Sequence, residues 1–189
     1  MSRLEVEWID PEAEQGPLFR VGRDVYERER AGGRVIWLRA HESYPARVAL
    51  PVARAFDDCA RRWGAPAVFI IDPNLKKPPA ARFLFEWSRA TAASGSVEES
   101  FMRTGNRLSQ LMGKLVLRMF TDGTMSFRAI NGTDAMNAHL DTLDLSCPQP
   151  GFVVRDTEAL VLRGESPPSL MRSLLRRARR RLGGGPDKP

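Results

Sequence analysis

Apolar and polar positions alternate in short stretches near the N-terminus and take on helical periods after Pro45. Residues 4–9 (LEVEWI) alternate apolar and acidic residues, with Leu4, Val6 and Trp8 on one side, the pattern of a half-buried strand ended by Asp10-Pro11. Residues 18–21 and 25–30 carry weaker strand patterns. Gly32-Gly33 supplies a turn into residues 35–40 (VIWLRA), a further strand, so the first quarter of the chain reads as a small antiparallel meander. Beyond Pro45, Val52, Phe56, Cys59 and Trp63 fall on one stripe of a helix that runs to about Arg62 and stops at Gly64. Cys59 lies on that stripe and reads as a small core residue. Residues 67–71 (AVFII) form a continuous apolar run closed by the turn residues Asp72-Pro73-Asn74. A strand with no polar face is buried on both sides, which places it at the centre of a parallel sheet covered by helices.

Pro78-Pro79 suit the first turn of the next helix, where proline's missing N–H is unpaired in any case. Phe83, Leu84, Trp87 and Ala90 give it an apolar face, and Ser94-Gly95 close it. Residues 97–103 read as a strand. Gly105-Asn106 open a helix in which Leu108, Leu111, Met112, Leu115, Val116, Met119 and Phe120 keep 3,4 spacing, the signature of core packing. Residues 125–130 (MSFRAI) predict another strand. Thr133 is the expected cap of a last core helix, with Met136, Leu140 and Leu143 turned inward. The fold class that follows is α/β: a mixed sheet with parallel core strands at 67, 97 and 125, an antiparallel N-terminal meander and helices packed on it, because each helix is a crossover of the length parallel pairing requires.

Cys147-Pro148-Gln149-Pro150-Gly151 reads as a boundary that ends an α/β domain over residues 1–147. Residues 148–166 are then a linker in which 152–154 and 159–162 suggest a short β hairpin or extended arm. Residues 167–189 combine a basic helix, from about Ser169 to Leu182, with a disordered end. Leu170, Met171, Leu174, Leu175, Ala178 and Leu182 make its apolar stripe, and Arg172, Arg176, Arg177, Arg179, Arg180 and Arg181 cover the rest.

Charge changes the picture in one respect. The basic residues from Arg172 to Lys188, against Asp187 alone, account for the whole net charge of +6, so the rest of the chain is neutral. Attraction to anionic partners therefore belongs to the tail. Two cysteines and two histidines give neither a disulfide framework nor a metal-spaced cluster, and no cofactor is expected. The start MSRLEVEWID has no apolar segment of a signal peptide, and no run reaches the ~18 apolar residues of a membrane span, which predicts a cytoplasmic protein, peripheral at the membrane if the tail binds lipid.

The buried strand VFIID (68–72) after an amphipathic helix, the PPAARFLFEW helix (78–87) and the block MSFRAINGTDAMNAHL (125–140), with Phe127 and Ala135 at the places of a recurrent Phe…Ala ending, carry a resemblance. Over residues 4–145 the chain resembles STAS/SpoIIAA-like domains, in particular bacterial proteins related to anti-sigma-factor antagonists and the truncated SEC14-like group. The resemblance implies a STAS-like fold and a non-catalytic regulatory or scaffold role through a protein partner. One departure matters. Phosphoregulated antagonists carry a Ser or Thr straight after the strand-ending aspartate, whereas here no hydroxyl residue follows Asp72 until Ser88. That argues against a phosphoswitch and leaves the same surface available for docking.

Candidate site residues gather at two places. Asp72 emerges at the C-terminal end of a central strand, where open α/β sheets bind ligands, and its bland role is to hydrogen-bond the turn backbone. Asn74, Lys76 and Lys77 follow it. Arg103, Asn106 and Arg107 surround a helix N-terminus suited to a phosphate or carboxylate, or explained by Asn106 as a plain N-cap. If the strands at 67 and 97 are neighbours, both groups share one partner-binding edge. His41 and His139 have no sequence-local partner and read as structural or surface residues. The tail is suited to an anionic membrane, nucleic acid or an acidic protein groove, or to packing its leucines on the body. Self-association is a further option. Two function classes result: a regulatory protein-binding module, and a membrane-surface or lipid-associated protein whose body shelters an apolar ligand. An enzyme ranks behind both.

Overall fold

The computed structural model describes residues 4–73, 81–105 and 126–162. Seven strands form one sheet whose spatial order is the chain order: β1 (Val6–Trp8), β2 (Gly16–Val21), β3 (Asp24–Arg28), β4 (Val35–Ala40), β5 (Ala67–Pro73), β6 (Val97–Thr104) and β7 (Ser126–Asn131). The first four strands pair antiparallel, and β4 to β7 run parallel. This is the α/β mixed sheet that the pattern predicts, with β4 serving both halves. The expected helix over residues 106–120 and the basic tail lie outside the described residues.

Helix α1 (Ala49–Trp63) crosses from β4 to β5, and α2 (Ala81–Ser94) lies between β5 and β6. Both pack on one face of the sheet. Val52, Phe56, Cys59 and Trp63 are all buried on α1, and Phe56 meets Phe69 of β5 and Trp87 of α2 edge-on, with ring centroids 4.8 and 5.5 Å apart. Phe19 and Tyr26 extend this aromatic cluster across β2 and β3, stacked at 4.4 Å. Each large side chain so buried contributes roughly 1.5–3 kcal/mol. Gly64 ends α1 with φ 66°, a conformation open to glycine at little cost.

On the opposite face, Val35, Val68, Ile70 and Phe101 pack against Met136 and Leu140 of α3 (Thr133–Leu140) and against Leu145. The run 67–71 is therefore apolar because alternate residues enter two different cores.

Three expectations are corrected. Gly132, with φ 85°, takes the N-cap position of α3 with no side-chain capping bond, so Thr133 is the first helical residue and not the cap. The strand β5 continues through Asp72 and Pro73, which pair with Arg39 and Ala40, instead of ending at Ile71. The proposed β arm is helical at its second half: α4 spans Thr157–Leu162, with the Asp156 carboxylate accepting the N–H groups of Glu158 (3.0 Å) and Ala159 (3.4 Å). An N-capping aspartate outweighs the strand preference of the short apolar run. The segment before α4 follows the body, with Gln149 N donating to Gly64 O at 3.0 Å and Arg155 N to Ser94 O at 3.4 Å.

Candidate functional site

Parity along the parallel strands decides which side chains meet. Register pairs Trp37 with Ile70, Arg39 with Asp72, and Ile70 with Phe101, so Trp37, Arg39, Asp72 and Arg103 project from the same face, the one that α3 covers in part. Near the C-terminal strand ends they join into a network. Trp37 Nε1 donates to Asp72 Oδ2 at 2.8 Å, and Arg103 Nε donates to Asp72 Oδ1 at 2.6 Å. Arg103 Nη2 reaches the second carboxylate oxygen, making the pair bidentate, and Nη1 donates to Thr133 Oγ1 at 3.3 Å. The Asp72 and Arg103 side chains are 15% and 29% exposed, so the pair is partly shielded from solvent.

The structure thus brings together two of the sequence-predicted residues, Asp72 and Arg103, which lie on adjacent strands. Among the described residues the partners of Asp72 are side chains from β4 and β6, and the turn that follows it, residues 74–80, lies outside them. Asn74, Lys76, Lys77, Asn106 and Arg107, with the tail arginines, lie outside the described residues.

Beside the network the face opens. Arg23, Val25, Glu27, Trp37, Arg39 and His41 line a groove of about 360 Å³ over β3 and β4. The Arg39 guanidinium lies over the Trp37 ring, 5.1 Å from its centroid. Trp37 is half-buried and Arg39 exposed. Neither residue is among the candidates the sequence offers. The signal was present, since Val35, Trp37 and Arg39 alternate on one face of VIWLRA and end in an aromatic-cation pair.

Other polar groups serve the scaffold. Asp24, fully buried, accepts from His41 N (2.8 Å), Glu42 N (3.4 Å) and Tyr44 Oη (2.6 Å), which ties the loop after β4 to the β2–β3 turn. Burial pushes the Tyr44 and Tyr26 hydroxyls well above their usual pKa. His41 Nδ1 lies 3.5 Å from Asp24 Oδ1, and His139 sits edge-on to Phe101 with centroids 5.0 Å apart. An apolar cavity lined by Tyr26, Phe69, Phe83 and Trp87 among others measures about 40 Å³. Ligand sites usually start at roughly 300 Å³. Among the described residues, no group of three His, Cys, Asp or Glu is placed to hold a metal, and no helix is long and apolar enough to cross a membrane.

Comparison with models of known protein families gives no match. Comparisons with curated proteins and with solved structures also give none.

Proposed function

We propose that the chain is a non-catalytic regulatory or scaffold protein: its α/β body binds a protein partner, and its basic C-terminal segment contacts an acidic one. The observation that carries this reading is the fixed Trp37-Arg39 pair. Trp37 is held in place by its 2.8 Å bond to Asp72, and Arg39 lies over its ring on the open face of β3 and β4. Tryptophan and arginine dominate interface energetics, and anchors already held in place lose little entropy on binding. Asp72, the best polar candidate for chemistry, has both carboxylate oxygens bonded within the fold, which suits a scaffold better than a reacting group. The resemblance to STAS/SpoIIAA-like domains points the same way.

The test is affinity capture with the full chain beside a chain ended after Leu162. A protein retained by both supports binding through the body. Capture that vanishes with the tail, together with tail-dependent co-sedimentation with anionic vesicles, would favour the membrane-surface reading instead.

A further inference from the structure

Building on that reading, we infer that the open face of β2–β4, centred on Trp37 and Arg39, is the docking surface for an acidic segment of the partner protein. Three observations lead there. The face is open over β3 and β4: among the described residues, α1 and α2 occupy the other side of the sheet, and α3 with Leu145 covers the part formed by Val35, Val68, Ile70 and Phe101, against which the half-buried Trp37 packs at the margin. It is also shaped, since its groove of about 360 Å³ has Val25 and Trp37 as an apolar floor.

The third observation is the placement of charge. Of the charged residues that line the groove, Arg23 and Arg39 are exposed and Glu27 is half-buried, while the exposed Glu29 lies toward Arg103 and Asp72. Arg23 is 88% exposed while its partner Glu42 is 26% exposed, and Arg103 is more exposed than Asp72. Arg39 is exposed, and no carboxylate among the described residues pairs with it. A visiting group meets guanidinium first, and guanidinium forks match carboxylates.

The same charges select among occupants. The basic tail, with six arginines from Arg172 to Arg181, is repelled by this face. A nucleic-acid strand needs free aromatic faces for its bases, but one face of Trp37 already carries Arg39. An acidic polypeptide with interspersed apolar residues satisfies both the rim and the floor.

The test is an NMR titration of the ¹⁵N-labelled full chain with a short glutamate/leucine peptide. A glutamine/leucine peptide and a single-stranded oligodeoxynucleotide of equal charge serve as comparisons. The reporter is the Trp37 indole N–H, assigned through Trp37→Phe. A second chain with the six tail arginines replaced by serine removes the tail's own attraction for anions.

The glutamate peptide is expected to shift the Trp37 signal in both chains, the glutamine peptide to leave it in place, and Arg23→Glu with Arg39→Glu to weaken binding about tenfold or more. The indole signals of Trp63 and Trp87, both buried, report whether the reversed chain folds; if they move, Arg39→Gln alone supplies the comparison. An unmoved Trp37 signal, an equal response to the oligonucleotide, indifference to charge reversal, or a shift on diluting the chain alone, which would make a second copy the occupant, overturns the inference. A captured protein partner that binds the Arg23→Glu, Arg39→Glu chain normally would overturn this face as its site while leaving the regulatory reading intact.

Discussion

The indole nitrogen of Trp37 donates to Asp72 Oδ2 at 2.8 Å, tying the middle of β4 to the end of β5, while Arg103 holds the same carboxylate from β6. Three strands thus depend on one side chain. Asp72→Ala leaves the indole N–H and the guanidinium without their acceptor in a partly shielded place, and is expected to cost about 2 kcal/mol. Asp72→Asn keeps an acceptor but loses the ion pair, and should cost about half as much. Trp37→Phe keeps the Asp72–Arg103 pair and should be the mildest. Urea unfolding of the three variants checks the order; equal losses would show that the network is not what holds these strand ends.

Asp57 of α1 is buried against the end of α2 and the start of α4, accepting a 2.7 Å hydrogen bond from Ser94 Oγ. Burial pushes its carboxyl pKa above 3.8, and hydrogen bonds from the Ser96, Ser94 and Thr157 hydroxyls only partly offset this. The folded chain then holds the proton more tightly than the unfolded chain does. Stability from this group is therefore fully present below pH 3.8 and is lost as pH rises to the raised folded value, above which it is flat. The stability of the natural chain minus that of Asp57→Asn should fall with pH through this window and level off at neutral pH. Unfolding curves at a series of pH values measure it, and a difference that rises with pH would refute the assignment.

Much of the fold was legible because its signals are local. The apolar run 67–71, the alternation in 35–40, the α1 stripe and the glycine stop at Gly64, with its φ of 66°, need no knowledge of distant residues. Asp72 and Arg103 were expected to share one edge, but their direct pairing and the Trp37 bond were not legible, since they depend on sheet register, which aligns Arg39 with Asp72 and Ile70 with Phe101. Two buried arginines escaped for the same reason. Arg28 donates to Gly33 O at 2.6 Å and lies over Trp63, and Arg34 donates to Pro66 O, Glu98 and Asp144 O. A lone arginine in a strand pattern reads as surface, and only the folded chain shows carbonyl groups gathered around it. The N-cap Asp156 is a different case: Asp-Thr-Glu ahead of an apolar run is a local helix start, and the β preference of neighbouring valines masked it.

The two cysteines should separate cleanly by reactivity. Burial pushes the Cys59 thiol up to about 12, and the partly exposed Cys147 is raised less far, also mainly by burial. The thiolate is the nucleophile, so a thiol-specific reagent near pH 8 is expected to modify Cys147 alone in the native chain and Cys59 only after denaturant is added. Counting thiols before and after denaturation, with Cys147→Ser as the check, measures this. Native-state modification of Cys59 would show that the α1 core opens readily.

The place where the chain can be cut follows from how the segment before α4 is held. Gln149 N bonds Gly64 O, Arg155 N bonds Ser94 O, Thr157 is buried with its hydroxyl on Asp57, and Glu158 pairs with Arg54 of α1. A chain ended at Pro150 leaves the Asp57 carboxylate short of one donor and strips α4 from α2. It is expected to lose about 2 kcal/mol or more, which is roughly 4–8 °C in Tm for a body of this size. A chain ended after Leu162 keeps all of these contacts and sheds the whole net charge, since residues 163–189 carry the full +6. Its Tm should stay within about 2 °C of the full chain, while binding to anionic surfaces that weakens with salt should disappear. Thermal melts and vesicle co-sedimentation of the two shortened chains decide the matter. If the cut at Pro150 melts like the full chain, the segment is a linker after all; if the cut after Leu162 melts low, the tail contributes to the stability of the body.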